Sequence, residues 1–90
     1  MRSTWEAIRL RFALLIVEQL ARKTAGLRNK EFLGIDNDWT KTTTLKKLVE
    51  SGLVLHVRRP DAIWVYKISS KGRRALEHAA RLKALDHYEE

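Results

Sequence analysis

The 90-residue sequence has no cysteine and no uninterrupted apolar run of 18 residues. The first absence excludes disulfides and thiolate metal sites, and it is typical of a reducing, intracellular compartment. The second excludes a transmembrane helix, so we expect no membrane partner. The length predicts one domain, and repeats, low-complexity tracts and linkers are lacking. From the absence of cysteine we expect the protein to act in the cytoplasm. A chain of this length buries roughly 60–65% of its unfolded surface, so a lone monomer would be marginally stable.

Residue patterns that carry catalysis or metal binding are scarce. The histidines His56, His78 and His87 are widely separated and have no second ligand at metal spacing. No Ser–His–Asp set or carboxylate pair is suggested, and a domain this small leaves little room for a substrate cleft. We therefore expect no enzymatic activity, no catalytic residue, no metal, no cofactor and no small-molecule effector.

Positive charge is abundant and unevenly distributed. The formal net charge is +7, from 18 Lys and Arg against 11 Asp and Glu. Residues 39–85 contain 11 basic and 3 acidic residues, a local net charge of +8, so the rest of the chain is about neutral. A basic region on a small domain is typical of a polyanion-binding protein. Charge alone is equally compatible with a merely soluble basic surface.

Helical periodicity is strongest near the two ends of the chain. Residues 4–23 follow a capping box from Ser3 to Glu6 and carry two apolar stripes, which predicts a helix covered on both sides. Residues 70–88 predict the last helix, capped by Ser69 or Ser70. In so small a domain, we expect a second subunit to cover the second apolar stripe of helix 4–23. The predicted dimer interface comprises Trp5, Leu10, Leu14, Val17, Leu82 and Leu85.

Two shorter helices are predicted in the middle of the chain. The first spans about 29–34, with Asn29 as its cap and Gly34 at its end. The second spans 39–51, with Asp38 or Thr40 as N-cap and Gly52 as stop. The core-facing side chains of this second helix are Leu45, Leu48 and Val49.

A β-hairpin follows. Residues 53–59 and 62–68 are rich in β-branched and aromatic side chains, which predicts two strands. Pro60 suits the second position of a type I turn over 59–62. Alternation along the second strand places Trp64, Tyr66 and Ile68 on one face, which we predict to be the core face.

The order of these elements resembles a winged helix-turn-helix domain, an α+β, mainly helical fold. The resemblance lies in "FLGIDNDWTKTTTLKKLVESGLVLHVRR" at 32–59 and "WVYKISSKGRRAL" at 64–76. The segments "LVESGLV" and "YKISSKG" are similar to motifs of the multiple-antibiotic-resistance and phenolic-acid-decarboxylase repressor superfamily. The connection "IDNDW" is longer than is usual there. The resemblance implies a homodimeric, sequence-specific regulator of transcription, acting as a repressor on double-stranded DNA, with recognition helix 40–51 in the major groove and wing 53–68 at the minor groove.

The residue types of helix 40–51 independently suit DNA contact. Threonine hydroxyls and methyls can contact base edges, lysines pair with phosphates, and the helix start with Thr40 can bind a phosphate through backbone N–H groups. Thr44 is expected to be partly buried. The predicted contacts on the polar face of this helix are Thr40, Lys41, Thr42, Thr43, Lys46 and Lys47. The alternative is a solvated polar face on a structural helix.

Further basic residues extend the predicted DNA surface. Arg58 and Arg59 lie at the hairpin tip, where arginine suits a narrow minor groove. Lys71 begins the last helix, and Arg28 and Lys30 flank the short helix, so all three can reach the DNA backbone. Each is also compatible with an ordinary exposed charge.

Two other functions stay open. One is an architectural chromatin-type protein that binds DNA with little sequence preference. The other is a winged helix module for protein contacts, which has no need of the +8 region. Stacking on single-stranded bases has weak support, because the aromatic residues are not interleaved with basic residues on one predicted surface.

Overall fold

The computed structural model describes residues 4–88, with side chains described for residues 10–81. Over the described residues the chain is α+β and mainly helical, with three α-helices and one two-stranded sheet. The helices are α1 (Thr4–Arg22), α2 (Asp38–Glu50) and α3 (Ser70–Tyr88), and the strands are β1 (Val54–Arg58) and β2 (Trp64–Ile68). These bounds lie within two residues of the predicted ones. The predicted cap Ser3 lies outside the described residues.

The predicted tight hairpin is confirmed. β1 and β2 are antiparallel, with Val54 opposite Ile68 at the base and Arg58 opposite Trp64 near the tip. The turn closes through the Ala62 N–H, which donates to the carbonyl of Arg59 at 2.9 Å. Ala62 has a φ of 69°, in the left-handed region, so the turn ends on a conformation that suits glycine better than alanine.

A third segment pairs briefly with β2. The Leu27 N–H donates to the carbonyl of Tyr66 at 2.9 Å, and the Tyr66 N–H donates back to Leu27 at 2.7 Å. Gly26, just before this bridge, has a φ of +93°, and a Cβ there would lie 3.0 Å from the Tyr66 carbonyl. The connection after α1 is therefore fixed against the outer edge of the hairpin.

The core forms where the apolar stripes of α1 and α2 meet the base of the hairpin. Predicted core residues Leu45 and Leu48 are buried in it, and Val49 is partly buried. Val17, predicted at a dimer interface, is instead buried in the core of the monomer. The buried cluster comprises Ile16, Val17, Leu20, Leu27, Phe32, Ile35, Leu45, Leu48 and Val54.

The predicted short helix at 29–34 is reduced to a single 3-10 turn, Asn29–Glu31. Arg28, and not Asn29, occupies its N-cap position, and the Glu31 carboxylate accepts the Arg28 N–H at 2.7 Å. The backbone cannot continue as a helix because the Gln19 side chain of α1 binds both polar groups of Leu33, each at 2.9 Å. The turn therefore ends before Gly34.

The start of α2 also differs from the prediction. Asn37, and not Asp38 or Thr40, is the N-cap, and its Oδ1 accepts the Thr40 N–H at 3.1 Å. Asp38 is the first helical residue. The predicted partial burial of Thr44 is confirmed, and its hydroxyl donates to the Thr40 carbonyl at 2.7 Å. The internal bond satisfies the threonine hydroxyl, which is why it can be buried.

The segment "ISSKG" docks α3 onto the loop that leaves α2. Ser69 is the N-cap, as predicted, and its Oγ accepts the Gly72 N–H at 3.0 Å and donates to the Gly52 carbonyl at 2.6 Å. A Cβ on Gly72 would lie 2.2 Å from the Leu53 carbonyl oxygen. Glycine is therefore required at position 72 for this close approach.

Candidate nucleic-acid interface

The exposed face of α2 carries three of the predicted contact residues side by side. Thr42, Lys46 and Lys47 are exposed, and Thr43 is half-buried beside them. Neither lysine forms an ion pair with another described residue. These side chains are available to a ligand because the helix is held from behind by Leu45 and Leu48.

Lys41 does not belong to this face, contrary to the prediction. It is only 6% exposed, and its Nζ lies 3.5 Å from Oδ1 of Asp38. Lys41 precedes Leu45 by four residues and Leu48 by seven, so helical geometry places it on the apolar stripe. A lysine can bury its aliphatic chain while its ammonium reaches a polar partner at the edge.

The first turn of α2 is poorly suited to phosphate. The Thr40 N–H, predicted to bind one, already donates to Asn37. The side chain of Asp38 is 92% exposed at the same helix end, so a carboxylate occupies the position that favours an anion. Thr40 is half-buried, and its carbonyl accepts from Thr44. The part of α2 that is available to a ligand therefore begins at Thr42.

A small groove separates the exposed face of α2 from the hairpin. It encloses about 210 Å³. Thr42, Lys46, Val49 and Glu50 line it from α2, and His56 and Tyr66 line it from the two strands. The exposed face of α2 and the hairpin thus form the two sides of one continuous surface, with the groove between them.

The hairpin face that borders this groove is aromatic. Trp64, predicted in the core, is 54% exposed because it lies near the tip of the hairpin, beyond Tyr66 and Ile68, which pack on the core from the same face. His56 stacks on Tyr66 with ring centroids 4.2 Å apart and planes 3° apart. His56 also contacts Trp64 at 5.0 Å. Arg58 lies directly opposite Trp64 in the register, so it shares this face.

The two tip arginines are not equivalent. Arg58 is exposed and forms no ion pair with the described residues. Arg59 pairs with the carboxylate of Asp61. Partial desolvation raises the pKa of Asp61, but hydrogen bonds from the Ile63 N–H and the Arg59 guanidinium outweigh it and leave that pKa below its usual value. Arg59 therefore stabilises the turn, and Arg58 is the free cation of the tip.

The remaining predicted cations are exposed, but two of them have structural partners. Arg28 contacts Glu31 at 3.3 Å, and the Arg28 N–H, more than the guanidinium, lowers the pKa of the Glu31 carboxyl. Lys71 donates from Nζ to the Ser51 carbonyl at 2.7 Å, where it caps the C-terminal end of α2. Lys30 is exposed and forms no ion pair with the described residues.

An apolar groove of about 430 Å³ opens between α1 and α3. Leu10 is half-exposed at this groove, and Leu14 is partly buried. The other predicted interface side chains, Trp5, Leu82 and Leu85, lie outside the described side chains. The groove is lined by Leu10, Ala13, Leu14, Val17, Leu48, Leu53, Ala75, Leu76 and Ala79.

The described part of the chain has neither a membrane-spanning helix nor a cluster of metal ligands. Residues 4–88 contain no helix with the length and apolar content needed to cross a membrane. Nor do the described side chains bring three potential metal ligands together.

Sequence reasoning missed Trp64 as a surface residue and did not place His56 and Tyr66 beside the polar face of α2. The predicted turn did not supply this signal: a hairpin closed at Arg59 and Ala62 would place His56 opposite Val65. In the structure Arg59 bonds to Ile63, so His56 and Arg58 lie opposite Tyr66 and Trp64. That pairing puts aromatic and basic side chains on one face. Comparison with known proteins adds no further constraint: no protein-family model, curated protein or solved structure matches the chain.

Proposed function

We propose that this chain is a winged helix-turn-helix domain that binds double-stranded DNA and regulates transcription as a homodimer. The observation that carries the proposal is the continuous surface formed by Thr42 and Lys46 of α2 with the hairpin. A recognition helix beside a β-hairpin can place the helix in the major groove while the hairpin reaches the flanking minor groove.

The arrangement of the elements supports this proposal. A 3-10 turn precedes α2, the hairpin follows it, and Leu27 pairs with Tyr66 of β2 through an isolated β-bridge. This layout is compatible with a winged helix, although the turn replaces a full second helix. The close docking of α3 through Gly72 explains the glycine of "YKISSKG" in structural terms.

The contact set is smaller than the one predicted from the sequence. We assign base contacts to Thr42 and Thr43, and phosphate contacts to Lys46 and Lys47. Arg58 is the cation that reaches the minor groove, because Arg59 is held by Asp61. Lys41 is removed from the set because it is buried.

A second copy of the chain is the proposed occupant of the apolar groove between α1 and α3. Leu10 exposes half of its surface there, and the lining is apolar along its length. Two recognition helices held by such a dimer would meet half-sites about one helical turn, roughly 34–36 Å, apart. Occupancy of the site would then block polymerase, which is the action of a repressor.

The test compares two lysines of α2 by fluorescence anisotropy with a selected duplex and a random duplex. Lys46→Met should weaken binding to both duplexes and reduce the slope of log affinity against log salt by about one. Lys41→Met removes the same charge from the same helix. It should leave affinity nearly unchanged because the Lys41 ammonium lies against Asp38 and away from the proposed surface.

A third variant tests sequence reading. Thr43→Ala should reduce the preference for the selected duplex by about 1 kcal/mol while affinity for random duplex stays the same. Equal effects of Lys41→Met and Lys46→Met would contradict the assigned face. Binding without any sequence preference would favour the architectural alternative, and no binding to either duplex at low salt would favour a protein-contact module.

A further inference from the structure

We infer that the aromatic face of the hairpin stacks on an unpaired nucleobase, so that the chain prefers duplex DNA adjoining a single-stranded segment to continuous duplex. The inference rests on the proposed function, since α2 supplies the duplex contact. It adds a second type of ligand, the unpaired base, and assigns it to His56, Tyr66 and Trp64.

The aromatic rings form one array. The His56 and Tyr66 rings are stacked at 4.2 Å, and the Trp64 ring lies 5.0 Å from His56 with a tilt of 51°. Phe32 supports the inner end of the array with an edge contact to Tyr66 at 6.1 Å. The inner rings are held by their neighbours, whereas Trp64 at the outer end is more than half exposed. A base can therefore add to the array at Trp64.

Positive charge borders the array on two sides. Arg58 lies opposite Trp64 on β1, and Lys46 faces His56 and Tyr66 across the groove. Neither cation forms an ion pair with a described residue. Aromatic rings flanked by free cations are the combination that binds single-stranded nucleic acid, because the rings stack on bases and the cations pair with the backbone.

The groove beside the array offers a polar contact for the edge of a base that follows along the same strand. Glu50 is the one carboxylate among its lining residues, and it has no ion-pair partner in the described part of the chain. A carboxylate accepts a hydrogen bond from the amino group of cytosine. An extension of cytosines is therefore the probe of choice.

The experiment measures affinity for a blunt duplex and for the same duplex with a short single-stranded extension of cytosines at one end or the other. The extended probe should bind at least about fivefold more tightly in one of the two orientations. Trp64→Leu should remove this advantage and leave the affinity for blunt duplex unchanged. Trp64→Phe should retain most of it because a ring remains.

Trp39→Leu is the matched control. Trp39 is also an exposed tryptophan, but it lies at the start of α2 and is not part of the aromatic array. Its replacement should leave the ratio of the two affinities unchanged. A second readout uses the variant Trp5→Phe/Trp39→Phe, in which Trp64 is the remaining tryptophan. Its fluorescence should be quenched by the extended probe and not by the blunt one.

The outcomes separate this inference from the proposed function. Equal affinities for blunt and extended duplexes would overturn the inference and leave duplex binding standing. An advantage that survives in Trp64→Leu would also overturn it, because the aromatic array would then be irrelevant. If neither probe binds, both the proposed function and the inference are overturned.

Discussion

At the scale of single residues, Gly72 holds α3 against the rest of the molecule. The helix approaches the backbone of Leu53 so closely that a Cβ would lie 2.2 Å from a carbonyl oxygen, and backbone cannot swing aside as a side chain can. The same contact region contains the Ser69 N–H bond to Leu53 at 3.1 Å. A methyl group added at position 72 would therefore disturb both the packing of α3 against Leu53 and the N-cap of α3.

We predict that Gly72→Ala destabilises the fold by about 1–3 kcal/mol, the usual cost of overpacking. The direction of this change is informative, because replacing glycine with alanine inside a helix normally stabilises a protein by about 1 kcal/mol. Urea denaturation followed by circular dichroism measures the change in the free energy of unfolding. Arg73→Ala, at the next and exposed position, should stay within about 0.5 kcal/mol. A Gly72→Ala variant as stable as the parent would contradict the close approach.

Residue burial was only partly predictable. The helical period correctly placed Leu45 and Leu48 in the core, and the same period places Lys41 beside them. The charge of a lysine predicts a surface position, yet the Lys41 ammonium lies against the Asp38 carboxylate. Alternation in β2 likewise predicts which side chains share a face, but it does not predict how far along the strand that face is covered. Tyr66 and Ile68 pack on the core, whereas Trp64, on the same face, extends beyond it.

At the scale of elements, the hairpin turn contains an identifiable conformational strain. Ala62 adopts a φ of 69°, which costs a residue with a Cβ about 1–2 kcal/mol relative to a relaxed conformation. The turn tolerates it because the Ala62 N–H and the Arg59 N–H both form backbone bonds across the tip, each at 2.9 Å. Asp61 adds a bond to the Ile63 N–H at 3.2 Å.

Ala62→Gly should therefore stabilise the protein by about 0.5–1 kcal/mol, after the greater chain entropy of glycine in the unfolded state is subtracted. Thermal and urea denaturation measure the change. Ala80→Gly makes the same chemical replacement at an exposed position of α3 outside the apolar groove and should destabilise by about 1 kcal/mol. If both replacements destabilise alike, Ala62 is not strained.

Element prediction succeeded where local pattern decides the structure. The bounds of α1, α2, α3 and both strands follow from periodicity, β-propensity and turn residues within each segment. The short helix at 29–34 could not be corrected from local sequence. The Gln19 side chain forms hydrogen bonds with the backbone of Leu33, 14 residues later in the chain. A contact between residues so far apart in the sequence leaves no local signal.

At the scale of the whole molecule, the chain is elongated. It measures 49 × 25 × 21 Å and has a radius of gyration of 13.9 Å, where a compact chain of this length would have about 12 Å. The 19-residue helices α1 and α3 are each about 28 Å long, which exceeds the two shorter dimensions of the molecule. The apolar groove between them is thus the surface on which a small, marginal domain can gain further burial.

The last prediction concerns this groove. Leu10→Glu should convert the proposed homodimer into a monomer, because it places a charge at an apolar contact, and it should weaken DNA binding through loss of the second half-site. Sedimentation equilibrium measures the oligomeric state. Leu33→Glu is the matched control: Leu33 is 75% exposed in the loop after the 3-10 turn, so the same replacement should leave the dimer intact. A parent protein that sediments as a monomer at micromolar concentration, or a Leu10→Glu variant that remains dimeric, would show that the groove does not hold a second copy.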